Sequence, residues 1–221
     1  VDPAIQSLAS TYFFILYIPM LPRAATIIFG TALRAAGDTK TPMKVGIIVN
    51  IINILGNLLL IFPSRLVELG SFSFTMPGAG LGVVGAAIAS AISFTWGGIH
   101  ITYALWKHPM VSPRGCSLKP DKEILKPCVK IAFPNMLQRF GTSMGFVAFA
   151  SMINSLGEVA TAAHTIAHTV ESAFYIPGYG METAASTLAG NALGAKDNKR
   201  MKSLASMFMP IEIGLMIVSG A

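Results

Sequence analysis

Long apolar runs separated by short basic segments constrain this chain more than any other feature. Six runs can be drawn: Ser7 to Ala36, Met43 to Phe62, Leu81 to Trp106, Ile131 to Ser155, Ala160 to Leu193 and Ser203 to Ala221. A helix needs about 20 residues to cross a bilayer core of ~30 Å. Lipid admits helices or closed barrels, because no water is present to satisfy a bare backbone. The runs therefore read as transmembrane helices, and the fold class as an all-α polytopic helical bundle. Composition points the same way: 53% of the 221 residues are hydrophobic and 12% charged, against roughly 25% charged in a soluble domain. Mean hydropathy is +0.63.

The formal net charge of +6 sits between the runs rather than in one patch, which argues for membrane topology and against a nucleic-acid partner. Arg34, Lys40 and Lys44 flank the first connection. Lys107, Arg114, Lys119, Lys122, Lys126 and Lys130 fill the third, and Lys196, Lys199, Arg200 and Lys202 the fifth. The second has Arg65 with Glu68, and the fourth only Glu158. Residues 37–42, 107–130 and 195–202 are thus expected in the cytoplasm, in a multi-pass protein of the cell (plasma) membrane. Cys116 and Cys128 are too few for a disulfide framework or a metal cluster, and both fall on the reducing side. The first run is too long for a signal peptide and lacks a basic leader. Because it opens at Val1 with no recognisable start signal and stops at Ala221 inside an apolar run, the chain is expected to be incomplete.

Prolines predict where the helices deform. Pro19 and Pro22 in the first run, and Pro134 in the fourth, each remove a ladder hydrogen bond. Pro177-Gly178-Tyr179-Gly180 is a helix-breaking sequence, so the long fifth run reads as one bent crossing. The small-residue stretches Gly78 to Ala91 and Ala184 to Gly194 read as packing faces, where backbones approach closely.

Polar residues within the runs carry the functional argument, since each needs a partner, a cavity or a role. Asn50, Asn53 and Asn57 fall on one helical stripe, and Ser90 in the next run can supply a hydroxyl to the same pocket. Asn135, Gln138, Arg139 and Thr142 follow Pro134, with Gln138 and Thr142 on one face. His164, His168 and Glu171 are spaced by four and three, aligning two imidazoles and a carboxylate. A metal site there lacks a further ligand, whereas a proton relay or a substrate-cavity role suits groups that titrate. Interhelical hydrogen bonding alone is the plainer reading of the pair. Glu182 beside Gly180 reads as a neutraliser of a helix N-terminus.

Several segments resemble one family. Leu33-Arg34-Ala35-Ala36-Gly37-Asp38-Thr39-Lys40-Thr41-Pro42-Met43 is similar to the LRGxGDTKTPM loop of multidrug and toxic compound extrusion (MATE) transporters. Gly82 to Ser90 resembles their GxxGAAxAT segment, and Ala162-Ala163-His164 their AAHQ element. Pro177 to Gly180 and Ala185 to Asp197 resemble the PGxG and ASTLVGQxLGAxD elements. The resemblance implies twelve helices in two lobes, with this chain as helices four to nine. Residues 1–106 would be the C-terminal half of the first lobe and 107–125 the cytoplasmic connection. Residues 126–221 would be the N-terminal half of the second lobe, its last helix truncated. No internal repeat is visible in the sequence.

The resemblance also implies a function: antiport coupled to H⁺ or Na⁺ by alternating access, exporting organic cations, drugs or other amphipathic toxins, with no cofactor and no catalytic residue. Membrane lipid, such substrates and the missing helices of the same protein are the implied partners. Arg34, Gly37, Asp38, Thr39, Lys40 and Pro42 carry the motif loop. Some members build a cation site from an Asn and an Asp four residues apart with a Thr from the next helix, positions that match Asn53, Asn57 and Ser90. Asn57 stands where those members have an acid, and it neither titrates nor brings charge. Others use a glutamate eight residues past the proline of helix seven, where this chain has Thr142. Gln138 and Thr142 are expected to face the central cavity, with His164, His168 and Glu171 as further candidates. The alternatives are a lipid-linked precursor flippase, which would want a more basic cavity than Arg23 and Arg139 supply, and an intramembrane enzyme, for which no nucleophile and base are paired.

Overall fold

A computed structural model describes residues 3–69, 72–115 and 121–220; Cys116, Lys119 and Ala221 lie outside them. Among the described residues there are seven α-helices and one two-stranded antiparallel sheet, in two compact units, Val1–Gly115 and Cys116–Ala221.

In the first unit the opening apolar run is two helices, α1 (Pro3–Tyr17) and α2 (Met20–Ala35), bent by 52° at the break between them. Pro19 and Pro22 lie within one turn of each other, so neighbouring rungs of the ladder lose their donors and the helix gives way there. α3 (Lys40–Leu60) is followed by β1 (Pro63–Leu69) and β2 (Phe72–Ala79), then α4 (Gly82–Lys107). The connection between α3 and α4 thus holds a pair of antiparallel strands, with Arg65 opposite Met76 and Leu69 opposite Phe72. The run Phe72-Ser73-Phe74-Thr75 has the alternating, β-favouring composition that makes this possible.

α4 is the hub of the unit, with α1, α2 and α3 all packed on it. Its small residues make that approach possible. A Cβ on Gly85 would lie 2.5 Å from the Leu60 carbonyl oxygen, and one on Gly98 would lie 2.5 Å from Pro22. The core sits at one end, where Leu33 of α2, Val45 of α3, and Ile101 and Leu105 of α4 are buried together. Other large apolar side chains, such as Ile47, Ile54 and Ile99, are exposed. That is the pattern of helices meant for an apolar surrounding.

The second unit comprises α5 (Lys122–Asn154), α6 (Glu158–Gly194) and α7 (Asn198–Gly220), with α6 packed on both α5 and α7. α6 runs through Pro177-Gly178-Tyr179-Gly180 as one continuous helix, so the fifth run is not split in two there. A lone proline forfeits one ladder bond, and Pro127 and Pro134 of α5 and Pro210 of α7 are tolerated within their helices in the same way. At 37 residues α6 is about 55 Å long, well beyond the hydrocarbon thickness.

Among the described residues three helices are long and apolar enough to cross a membrane, Lys40–Leu60, Gly82–Lys107 and Asn198–Val218, or four if the bent α1–α2 pair is one span. Six runs were expected. α5 and α6 have the length but not the apolarity, because Asn135, Gln138 and Arg139, and His164, His168 and Glu171, dilute them. The basic segments are also shorter as loops than their sequence suggested. Lys40 to Pro42, Lys122 to Lys130, and Asn198 to Lys202 already belong to α3, α5 and α7. Aspartate caps start these helices early: Asp38, Asp121 and Asp197 accept backbone N–H bonds from Thr41, Glu123 and Arg200 at 3.0, 2.9 and 3.0 Å.

The Gly85 contact predicts that Gly85→Ala lowers the thermal unfolding temperature in detergent by several degrees. Gly46→Ala, with nothing within 4 Å of the new Cβ, leaves it unchanged or higher. Equal effects at both positions would show that the α3–α4 approach does not depend on Gly85. Asp38 lies outside the spans, and its bonds to the Thr41 side chain, then to the Thr41 backbone, hold its carboxyl below the usual carboxylate range. Its contribution is fully present above the unfolded pKa and is lost as pH falls through the folded one. Asp38→Ala should therefore cost ~1 kcal/mol at neutral pH, the deficit shrinking below about pH 4. Unfolding measured across that range would contradict this assignment if the deficit stayed constant.

Candidate functional site

Asn53 and Asn57 are one turn apart on α3, and Ser90 and Ser93 are on the facing surface of α4. The helices meet closely here, since a Cβ on Gly56 would lie 2.9 Å from that of Ala89. Across this seam the Asn53 Nδ2 donates to Ser90 Oγ at 3.1 Å and to Ser93 Oγ at 3.4 Å. Asn57 Nδ2 donates to Asn53 Oδ1 at 3.0 Å. Ser93 is fully buried, and its hydroxyl donates a hydrogen bond to the Ser90 carbonyl at 2.9 Å. The chain of donors thus runs from Asn57 through Asn53 to the serines. It leaves the Asn57 carbonyl oxygen, Oδ1, buried with no hydrogen-bond partner. An orphaned buried acceptor costs about 1–3 kcal/mol, so this oxygen favours a cation or a water.

The structure therefore brings Asn53, Asn57 and Ser90 together, as the spacing suggested, and adds Ser93. Sequence reasoning passed over Ser93 although it lies one turn after Ser90 on the same face. Asn50 does not join them: it is exposed, and its Nδ2 donates to the Gly46 carbonyl of its own helix at 3.0 Å.

The candidates in the second unit are more open. Gln138 and Thr142 are exposed on α5, and the Thr142 hydroxyl donates to the Gln138 backbone carbonyl at 2.9 Å. His164, His168 and Glu171 do share a face of α6. The two imidazoles stack with centroids 6.0 Å apart, and His168 Nδ1 lies 3.6 Å from Glu171 Oε2. Tyr175 extends the row by donating to Glu171 Oε1 at 3.4 Å. From α5, Phe149 meets His164 edge-on and Phe146 packs on His168, each at 5.5 Å between centroids. Among the described residues no group of three or more His, Cys, Asp or Glu could hold a metal ion.

The motif loop has a structural explanation of its own. Gly37 takes φ +91°, a left-handed conformation, and donates to the Arg34 carbonyl, while Asp38 N–H reaches back to Leu33. Asp38 then caps α3, and Lys40 and Pro42 lie in the first turn after Thr39. Arg34 donates from Nη2 to the Thr31 hydroxyl at 2.9 Å, and its Nε is buried without a partner. The α6–α7 connection repeats this device: Lys196 N–H bonds to Leu193, Asp197 N–H bonds to Ala192, and Asp197 caps α7. There Lys196 occupies the left-handed position, at φ 55°.

Comparison with known proteins covers both units. The MatE family model matches residues 134–221. The probable multidrug resistance protein NorM of Thermotoga maritima is 30% identical over 219 residues, 96% of this chain and 45% of that protein. The probable multidrug resistance protein YoeA of Bacillus subtilis is 30% identical over 180 residues, 80% of this chain and 36% of that protein. Human multidrug and toxin extrusion protein 1 is 26% identical over 96% of this chain and 35% of its own length. The chain thus spans less than half the length of these relatives. In fold it is similar to an outward-facing multidrug resistance MATE family transporter of the MOP superfamily, with TM-score 0.68 and 20% identity over 97% of this chain and 51% of that one. Its motif loops, its sequence likeness along nearly the whole chain and its helical architecture agree: the chain belongs to the MATE family of membrane transporters.

Proposed function

We propose that this chain is part of a cation-coupled antiporter of the plasma membrane that exports organic cations or other amphipathic compounds by alternating access. Residues 1–106 form the C-terminal half of its first lobe, 107–125 the cytoplasmic connection, and 126–221 the N-terminal half of its second. The basic turns at 37–42, 107–130 and 195–202 lie on the cytoplasmic side, following the positive-inside asymmetry. Lipid, the exported compound and the remaining helices are its partners. The protein makes and breaks no covalent bond.

One observation carries this reading: a hydrogen-bonded network of amides and hydroxyls between two apolar helices, ending in an unpartnered buried oxygen, Asn57 Oδ1. Packing alone does not require such a group, whereas a coupling ion that visits the site in one conformation does. Binding there shifts the balance between conformations only by its differential affinity for them. Asn53, Asn57 and Ser90 supply neutral oxygens, so a carboxylate, where the coupling ion needs one, comes from another helix. In the second lobe Gln138, Thr142 and the His164–His168–Glu171 row face the substrate path in this proposal, and the relatives' names as multidrug resistance proteins support the substrate class.

Replacing both Asn53 and Asn57 by Leu in the intact protein should reduce dye efflux about tenfold, as expected for losing ~1.4 kcal/mol of ion binding, with membrane insertion retained. Efflux at the normal rate with normal expression would remove the network from the mechanism. His164→Ala and His168→Ala proteins should show a flatter dependence of efflux on pH than the unmodified protein. A profile superimposable on that of the unmodified protein would eliminate proton passage along this face.

A further inference from the structure

A cavity of about 570 Å³ lies between α6 and α7, in the size range of small-molecule sites. Tyr175, Tyr179 and Glu182 of α6 and Glu212 and Met216 of α7 line it. Gly178 creates the close approach, since a Cβ there would lie 2.7 Å from Met216 Cε and 3.9 Å from Glu212 Oε1. The Glu212 carboxylate is therefore seated over bare backbone. It also falls inside the apolar span Asn198–Val218, where an ionisable group is costly without a partner or a role. Among the described residues the one contact within 4 Å between a basic and an acidic side chain is His168 with Glu171, and neither Glu182 nor Glu212 has a polar partner. No lysine or arginine lines the cavity.

Two unpaired carboxylates, two tyrosine rings and room for a molecule rather than a bare ion make a consistent set. We infer that this groove binds a monovalent organic cation, held by the charge of Glu182 and Glu212 and by the faces of Tyr175 and Tyr179. A metal ion fits less well, because the described residues offer no third ligand beside the two acids. The inference rests on the export of organic cations proposed above and adds the place where the cation is held. It gives Glu182 a ligand-binding task in place of neutralising a helix end.

Tetraphenylphosphonium is a suitable probe, and equilibrium dialysis on the intact purified protein measures its binding. E182Q/E212Q should weaken binding at least about tenfold while leaving binding of a neutral dye of similar size unchanged. Tyr179→Phe keeps the ring face and should bind normally, whereas Tyr179→Leu should bind several-fold more weakly. With Cys116 and Cys128 replaced by serine, Ser186→Cys should react with a maleimide and be protected by tetraphenylphosphonium. Unmodified affinity in a folded E182Q/E212Q protein would overturn the assignment. So would a maleimide-inert Ser186→Cys, which would mean that another helix of the protein fills the groove. Should the double variant not fold, the Tyr179 pair and the protection experiment decide. Failure of the unmodified protein to export the cation would instead sink the export reading, whereas export with the groove variants unaffected would sink the groove alone.

Discussion

The bond from the Asn53 amide to the Ser90 hydroxyl, 3.1 Å across two helices, depends on how close α3 and α4 come. That distance is set by the absence of side-chain volume at Gly56 and Gly85, where an added Cβ would lie 2.9 Å from Ala89 and 2.5 Å from Leu60. Side-chain hydrogen bonds between membrane helices are worth only ~1 kcal/mol. The network does not hold the helices together; tight packing of small residues does, and it places the amides. The same packing shuts water out of the seam, which is why Asn57 Oδ1 ends up buried and without a partner. A wider gap would solvate that oxygen and remove its reason to prefer a cation.

The turns between helices follow a second economy. At Leu33–Asp38 and at Ala192–Asp197 the backbone makes the same pair of reverse bonds, and the closing aspartate caps the following helix. One residue thus ends an old helix, begins a new one and places a negative charge at a positive helix terminus. Basic residues crowd around each cap, so the connections keep their net positive character. The likeness of these turns is geometric rather than literal. Gly37 and Lys196 share a left-handed conformation that glycine adopts freely and lysine adopts at a cost.

Much of this was legible in the chain. The helical bundle followed from run length, the Asn53–Asn57–Ser90 grouping from helical spacing, and the family from motifs in order along the sequence. The misses have physical causes. The hairpin at Pro63–Ala79 was hidden because hydropathy separates span from non-span but does not distinguish strand from coil. Hydropathy starts these helices too late, because lysines resemble loop residues, although the capping Asp38, Asp121 and Asp197 stand just before them. The fifth run stays one helix, as read, because one proline removes one bond, while the paired Pro19 and Pro22 break their helix. Ser93 was missed because a serine among alanines looks like packing until a partner on the next helix is known. The repeated turn escaped because its identity lies in backbone bonds, which Ala-Gly-Asp and Ala-Lys-Asp make alike.

Polar residues in these helices fall into two sorts, and the distinction locates the chemistry. Most threonine hydroxyls return their proton to the carbonyl four residues back, as Thr26, Thr95, Thr102, Thr165 and Thr187 do at 3.0, 2.7, 2.6, 2.8 and 2.8 Å. Such a group is satisfied within its own helix, so its presence in a span asks for no further explanation. Thr142 is of this sort, and its hydroxyl is already engaged with the Gln138 backbone carbonyl. Asn57, Glu182 and Glu212 are of the other sort: each has bonding capacity that its own helix does not meet. Asn57 offers a neutral oxygen suited to a small cation, and the glutamates offer charge beside aromatic rings, suited to a large one. The antiport proposed above calls for both kinds of place, a small-ion site and a site for a larger cation.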